Sequence, residues 1–231
     1  LETPLFNIFN KNAWINIIVG ILLGVGIYFN EWLQNLVYPV ITTAHELGHT
    51  FAGWLLAYPS IPYFDFRQGT GVTVHGPRNF MIFISIYVIF TGLGWYYRHH
   101  LFILIILLIS VLSYPWIAFS ELSQTIILVM GHGTELALSG LMWYLALTGN
   151  SGWQVFYAML GSFIMVYDLS FAYKLMYDNT YQMIYTYQGH GDFSQLAEMY
   201  CEGKVNTVAN IFFWCCWLPP LTSFIISSYR R

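Results

Sequence analysis

Residues 38–57 read YPVITTAHELGHTFAGWLLA. Twenty residues in a helix rise about 30 Å, the thickness of the hydrocarbon core of a bilayer, and most residues in this stretch are apolar. An ionisable group at that depth costs several kcal/mol, yet His45, Glu46 and His49 all sit near its middle. The stretch therefore reads as a membrane-spanning helix with a polar centre. The same template fits Ala13–Phe29, Phe80–Tyr97, Leu101–Phe119, Gln124–Leu147, Trp153–Tyr177 and Val205–Ser227. The expected fold class is an all-α polytopic membrane protein with six or seven transmembrane helices, a single integral membrane domain over residues 1–231. The uncertainty of one is in the fifth stretch, where Gly131-His132-Gly133 is expected to split or kink the helix.

Composition agrees with that reading and excludes others. The chain is 57% hydrophobic, 19% aromatic and 8% charged, whereas an ordinary soluble domain is roughly 25% charged. A net charge of -3 with no run of lysine or arginine gives no nucleic-acid surface and no polybasic lipid site. Cys201, Cys215 and Cys216 have no metal-ligand spacing and imply no disulfide framework. The residues before the first apolar run lack the basic start and small-residue cleavage site of a signal peptide, so that run is expected to remain as an anchor. With seven spans, Lys11, Arg67, Arg78, Lys174 and Lys204 fall on one side and Arg98, Arg230 and Arg231 on the other, which points to a cytoplasmic N-terminus.

Two segments are not expected to span. Residues 61–77, IPYFDFRQGTGVTVHGP, place aromatic and β-branched residues on either side of Gln68-Gly69-Thr70-Gly71, the pattern of a short β-hairpin directly after the second span. The polar stretch of about 178–204 contains Asp192-Phe193-Ser194-Gln195, which reads as a capping box opening a surface helix, with Gly189-His190-Gly191 as the turn before it.

His45-Glu46-Leu47-Gly48-His49 matches H-E-x-x-H. On a helix, positions i and i+4 lie one above the other, so two imidazoles can grip one metal ion while the glutamate reaches a water beside it. A catalytic zinc takes three protein ligands, so a third must come from elsewhere. Asp168, inside the sixth span, is the best candidate; otherwise it is an aspartate bonded to Tyr167 or Ser170. His132 is the other, three residues before Glu135 on one helix face. That pair could instead hold a second metal, line a water path or simply brace a glycine-broken helix. Metal binding at His190 and Asp192 is a further option, while His75, His99 and His100 fall at interfacial loop positions. Two histidines and a carboxylate do not by themselves select zinc over iron or copper.

An H-E-x-x-H within a span, followed at once by the hairpin segment Gly71-Val-Thr-Val-His-Gly76 and later by Val166-Tyr-Asp168-Leu169, resembles the site-2 protease (M50) family of intramembrane zinc metalloproteases, most closely its compact M50B-like branch. The resemblance implies one zinc ion held by His45, His49 and Asp168, with Glu46 as general base. Better-known members surround that aspartate with Asn, Pro and Gly, whereas Leu169 follows it here. The implied activity is hydrolysis of peptide bonds in membrane-protein or peptide substrates, in a multi-pass protein of a bacterial-type plasma membrane. Its partners would be substrate, the lipid bilayer and other membrane subunits, with no nucleic acid. The alternatives are a non-proteolytic integral subunit of a larger membrane complex, motivated by the aromatic content, and a transporter using His132, Glu135 and Asp168 as a polar pathway.

Overall fold

The structure is a computed structural model that describes residues 11–65, 70–149, 152–187 and 191–229. The hairpin tip at Gln68-Gly69, Arg67, His190 with Gly189, and Arg230 and Arg231 lie outside the described residues.

The described chain is overwhelmingly helical. In order it forms α1 (Lys11–Phe29), α2 (Glu31–Leu55), β1 (Ser60–Asp65), β2 (Thr70–His75), α3 (Phe80–Tyr96), α4 (Leu101–Phe119), α5 (Leu122–Thr148), α6 (Gln154–Tyr177), α7 (Asn179–Tyr187), α8 (Asp192–Tyr200), α9 (Val205–Cys215) and α10 (Leu218–Tyr229). The expected all-α fold with a hairpin after the second helix is present. β1 and β2 pair antiparallel, with Ile61 opposite Val74, Pro62 opposite Thr73, and Tyr63 opposite Val72.

The span count of six or seven is not supported. Among the described residues, four segments are long and apolar enough to cross a membrane: α4, α5, α6 and the α9–α10 segment Val205–Tyr229. A fifth is reached only if α1 and α2, sharply bent at Asn30, count as one broken span. The polar residues of α2 and its Pro39 dilute its hydropathy, and α3 with 17 residues is shorter than a bilayer core requires. A second correction concerns α5, which runs unbroken through Gly131-His132-Gly133. These glycines cost helix propensity but end nothing, and Gly131 serves close packing instead. A third concerns α8: Gly191 occupies the N-cap position and Asp192 lies inside the first turn. α8 also buries Phe193, Leu196 and Ala197, so it is a packed helix rather than a purely surface one.

Contacts divide the chain into two compact units, Leu1–Ile41 with Gly133–Arg231, and Thr42–His132. In the first, α1 lies along α6 through Gly20 and Gly24. A Cβ at Gly20 would stand 2.6 Å from Ala158 Cβ, and one at Gly24 would meet Met159 O, so only glycine permits this approach. Phe163 and Ile164 of α6 are fully buried, and packed with them are Ile41 and Leu160. The Ser139 hydroxyl donates to Gly161 O at 3.0 Å and that of Ser223 to Gly140 O at 2.7 Å, tying α5 to α6 and α10.

In the second unit, Ala52, Leu56, Ile86, Tyr114, Ala118 and Ile127 form the core. Asn79 caps α3, its side chain accepting from Met81 N at 2.8 Å. Arg78 donates to Ser123 Oγ at 2.9 Å and sits over the Tyr58 and Phe119 rings at 5.0 and 5.3 Å. At the end of α2, Ala57 adopts φ 68°, the left-handed conformation, while Tyr58 N–H returns to Gly53 O at 2.8 Å. This Schellman-type reversal costs alanine about 1 kcal/mol or more and folds the hairpin back along the helix it has just left.

Candidate metal centre

His45, Glu46 and His49 project from α2, with Glu46 and His49 buried. The two imidazoles meet, Nε2 to Nε2, at 3.0 Å. The His49 Nδ1 lies 2.7 Å from Ile127 O. A carbonyl oxygen only accepts, so Nδ1 carries the proton and Nε2 presents its lone pair toward His45. Fixing the tautomer through a backbone carbonyl is the usual preparation of a histidine for a metal.

A third imidazole from the same unit joins them. The ring of His132 packs edge-on against His45 with centroids 4.6 Å apart, and ring nitrogens of the two approach within 4.8 Å. Directly before it, Gly131 provides the space: a Cβ there would lie 2.5 Å from His49 Nε2 and 2.7 Å from His45 Cε1. His45 thus meets both His49 and His132, and Gly131 leaves room for the His45–His49 pair; imidazole nitrogens are donors that a borderline-soft divalent ion such as zinc accepts.

The hairpin bears on the same helix. Glu46, Thr50 and Gly53 follow one another at i, i+4 and i+7 and so share a face of α2. β2 lies along it through the alternate residues Gly71, Thr73 and His75. A Cβ at Gly71 would stand 2.5 Å from Glu46 Cγ. The Thr73 hydroxyl approaches Glu46 Oε2 at 2.7 Å, and Thr50 Oγ1 donates to Glu46 O at 2.7 Å. At the far end, Gly53 faces Ser60 and His75, and His75 Nδ1 shares a hydrogen bond of 2.7 Å with Ser60 Oγ. Burial, helped by the charge that His49 can carry, holds the His75 imidazole below the usual histidine range. The opposite face of the hairpin exposes Ile61, Tyr63, Val72 and Val74, an apolar ladder on its outer side.

Asp168 and Glu135 belong to the other unit. Both are buried, at 0% and 3% exposure, and a carboxylate oxygen of each lies within 4.8 Å of the other, so α5 and α6 bring two acids together. His99 and His100 lie at the junction of α3 and α4, His100 as the N-cap residue of α4.

Sequence reasoning overlooked three contributors: Gly131 as the cradle, Ile127 O as the anchor of His49, and the Gly71–Thr73 contact with Glu46. The alternation Gly71-x-Thr73-x-His75, two small residues and a histidine on one strand face, was the available signal. The other two contacts depend on tertiary packing of α5 against α2. No protein-family model, no curated protein and no solved structure matches the chain.

Proposed function

We propose that this chain is an intramembrane zinc endopeptidase in which His45, His49 and His132 hold one zinc ion and Glu46 is the general base. The observation that carries this reading is the meeting of His45 with both His49 and His132, with Gly131 leaving room for the His45–His49 pair, the tautomer of His49 set by Ile127 O, and Glu46 buried on the same helix. His132 takes the third place because its ring packs against that of His45.

Zinc, when bound, supplies Lewis-acid polarisation of a peptide carbonyl and of a water. The protein does the rest. Glu46 accepts a proton from the attacking water and delivers it to the nitrogen of the departing amine. Ile127 O and the helix hold the imidazoles in place, so little reorganisation accompanies the reaction. A helical substrate hides its carbonyls, and the hairpin offers a remedy, since an unwound substrate segment can add as a third strand to an outer edge of the β1–β2 sheet.

The test is Glu46→Gln in purified protein with a membrane-embedded substrate library. The expected result is retained zinc with cleavage reduced about 10²-fold to 10⁴-fold, the contribution of a positioned general base. Cleavage at the wild-type rate by this variant, or folded wild-type protein that takes up no metal, would overturn the reading.

A further inference from the structure

A general base works only if its carboxylate is held, and a glutamate on a helix has three free torsions with which to turn away. Here one strand of the hairpin removes that freedom. Thr73 Oγ1 lies 2.7 Å from Glu46 Oε2 and 3.0 Å from Glu46 O. A hydroxyl has one proton to give. The backbone carbonyl already accepts from Thr50 Oγ1 at 2.7 Å, and the carboxylate oxygen is the nearer acceptor, so the Thr73 proton goes to Oε2. That leaves Oε1 as the oxygen able to accept a proton.

The other wall of the seat is made of backbone. At Gly71 a Cβ would lie 2.5 Å from Glu46 Cγ, 2.8 Å from Oε1 and 2.9 Å from Cδ. Any side chain at residue 71 would therefore push the carboxylate off its position. Gly71 and Thr73 are two residues apart, on the same face of β2, and Glu46 is 5% exposed between that face and its own helix.

We infer that Thr73 and Gly71 are positioning residues for Glu46: Thr73 fixes Oε2 by hydrogen bonding, and Gly71 clears the space in which Oε1 faces the reacting water. This rests on the protease reading above and adds a second task for the hairpin. The strand that offers an edge to the substrate also sets the base, so a hairpin displaced from α2 leaves Glu46 unheld.

The test compares Thr73→Val, Thr73→Ser and Gly71→Ala with wild type in the full-length, zinc-loaded protein, with a fluorogenic transmembrane peptide containing a Gly-Pro break as substrate. Valine keeps the shape of threonine and loses the hydroxyl. The expected result for Thr73→Val is a kcat about 10-fold to 10²-fold lower at unchanged KM and zinc content, restored by Thr73→Ser, with Gly71→Ala lowered likewise. In the Glu46→Gln background, Thr73→Val should cause no further loss, because both act through one group. A second readout needs no activity: the carboxylate stretching band that disappears in Glu46→Gln should shift in Thr73→Val and return in Thr73→Ser. Wild-type kcat in Thr73→Val, or an unmoved band, overturns the inference while leaving the protease reading intact. Zinc-loaded wild type that hydrolyses nothing overturns the protease reading instead, and the band shift then decides the seat by itself.

Discussion

The two compact units each bury ionisable groups in an apolar helical setting, and they do so in opposite ways. The Thr42–His132 unit gathers three imidazoles and gives them an anchor, a glycine cradle and a neighbouring carboxylate held by a hydroxyl. The other unit brings together two acids, Glu135 on α5 and Asp168 on α6. Neutral imidazoles close together can each turn a lone pair to one cation. Two carboxylates so placed need a shared proton or a counter-ion. Burial of a charged residue type is thus a poor guide to function; what surrounds it decides.

The sharpest way to break this contrast is to remove one member from each side. His132→Ala should weaken zinc binding by more than about 10²-fold, whereas Asp168→Asn should leave the zinc stoichiometry of the folded protein at that of wild type. Metal analysis on matched preparations reads both. If Asp168→Asn loses zinc and His132→Ala keeps it, the roles assigned to the two units are reversed. A subtler probe keeps every donor and removes only the space. Gly131→Ala puts a methyl 2.5 Å from His49 Nε2 and should lower zinc affinity by about 10-fold to 10²-fold, with Gly140→Ala, whose nearest neighbour would be 3.6 Å away, as an unaffected control. A competition titration with a chelator distinguishes them.

The smallest effect belongs to His75, the imidazole outside the cluster. The fold holds it below 6.5, so between its folded value and 6.5 the unfolded chain binds more protons than the folded one. Its contribution to stability is present above about 6.5 and is lost as pH falls below that. Thermal melts of His75→Asn across that window should show a shallower acid loss than wild type. An identical pH dependence would remove His75 from the account of how the hairpin stays docked.

Much of this was legible in the sequence, and what was not has identifiable causes. His45, Glu46 and His49 could be read because the helix period alone fixes their relation, and the hairpin could be read because alternating β-branched residues flank a glycine-rich turn. The number of spans was overcounted because hydrophobicity does not reveal where a helix bends or stops: α1 and α2 break at Asn30, and α3 ends after 17 residues. Gly131-His132-Gly133 was misread as an interruption because glycine weakens a helix locally, whereas its reason for being there is the approach of two imidazoles from α2. The choice between Asp168 and His132 is a tertiary matter. Family resemblance favoured the aspartate, although Leu169 breaks the expected motif, and only the meeting of the His45 and His132 rings favours the histidine.

The central claim is a zinc ion held by three imidazoles beside Glu46. X-ray absorption at the zinc edge of the purified, zinc-loaded protein tests it most directly. The account predicts one zinc per chain with three histidine nitrogens in its coordination shell, falling to two in the zinc that His132→Ala retains. A wild-type shell of two histidine nitrogens and a carboxylate, unchanged by His132→Ala and altered by Asp168→Asn, would contradict it.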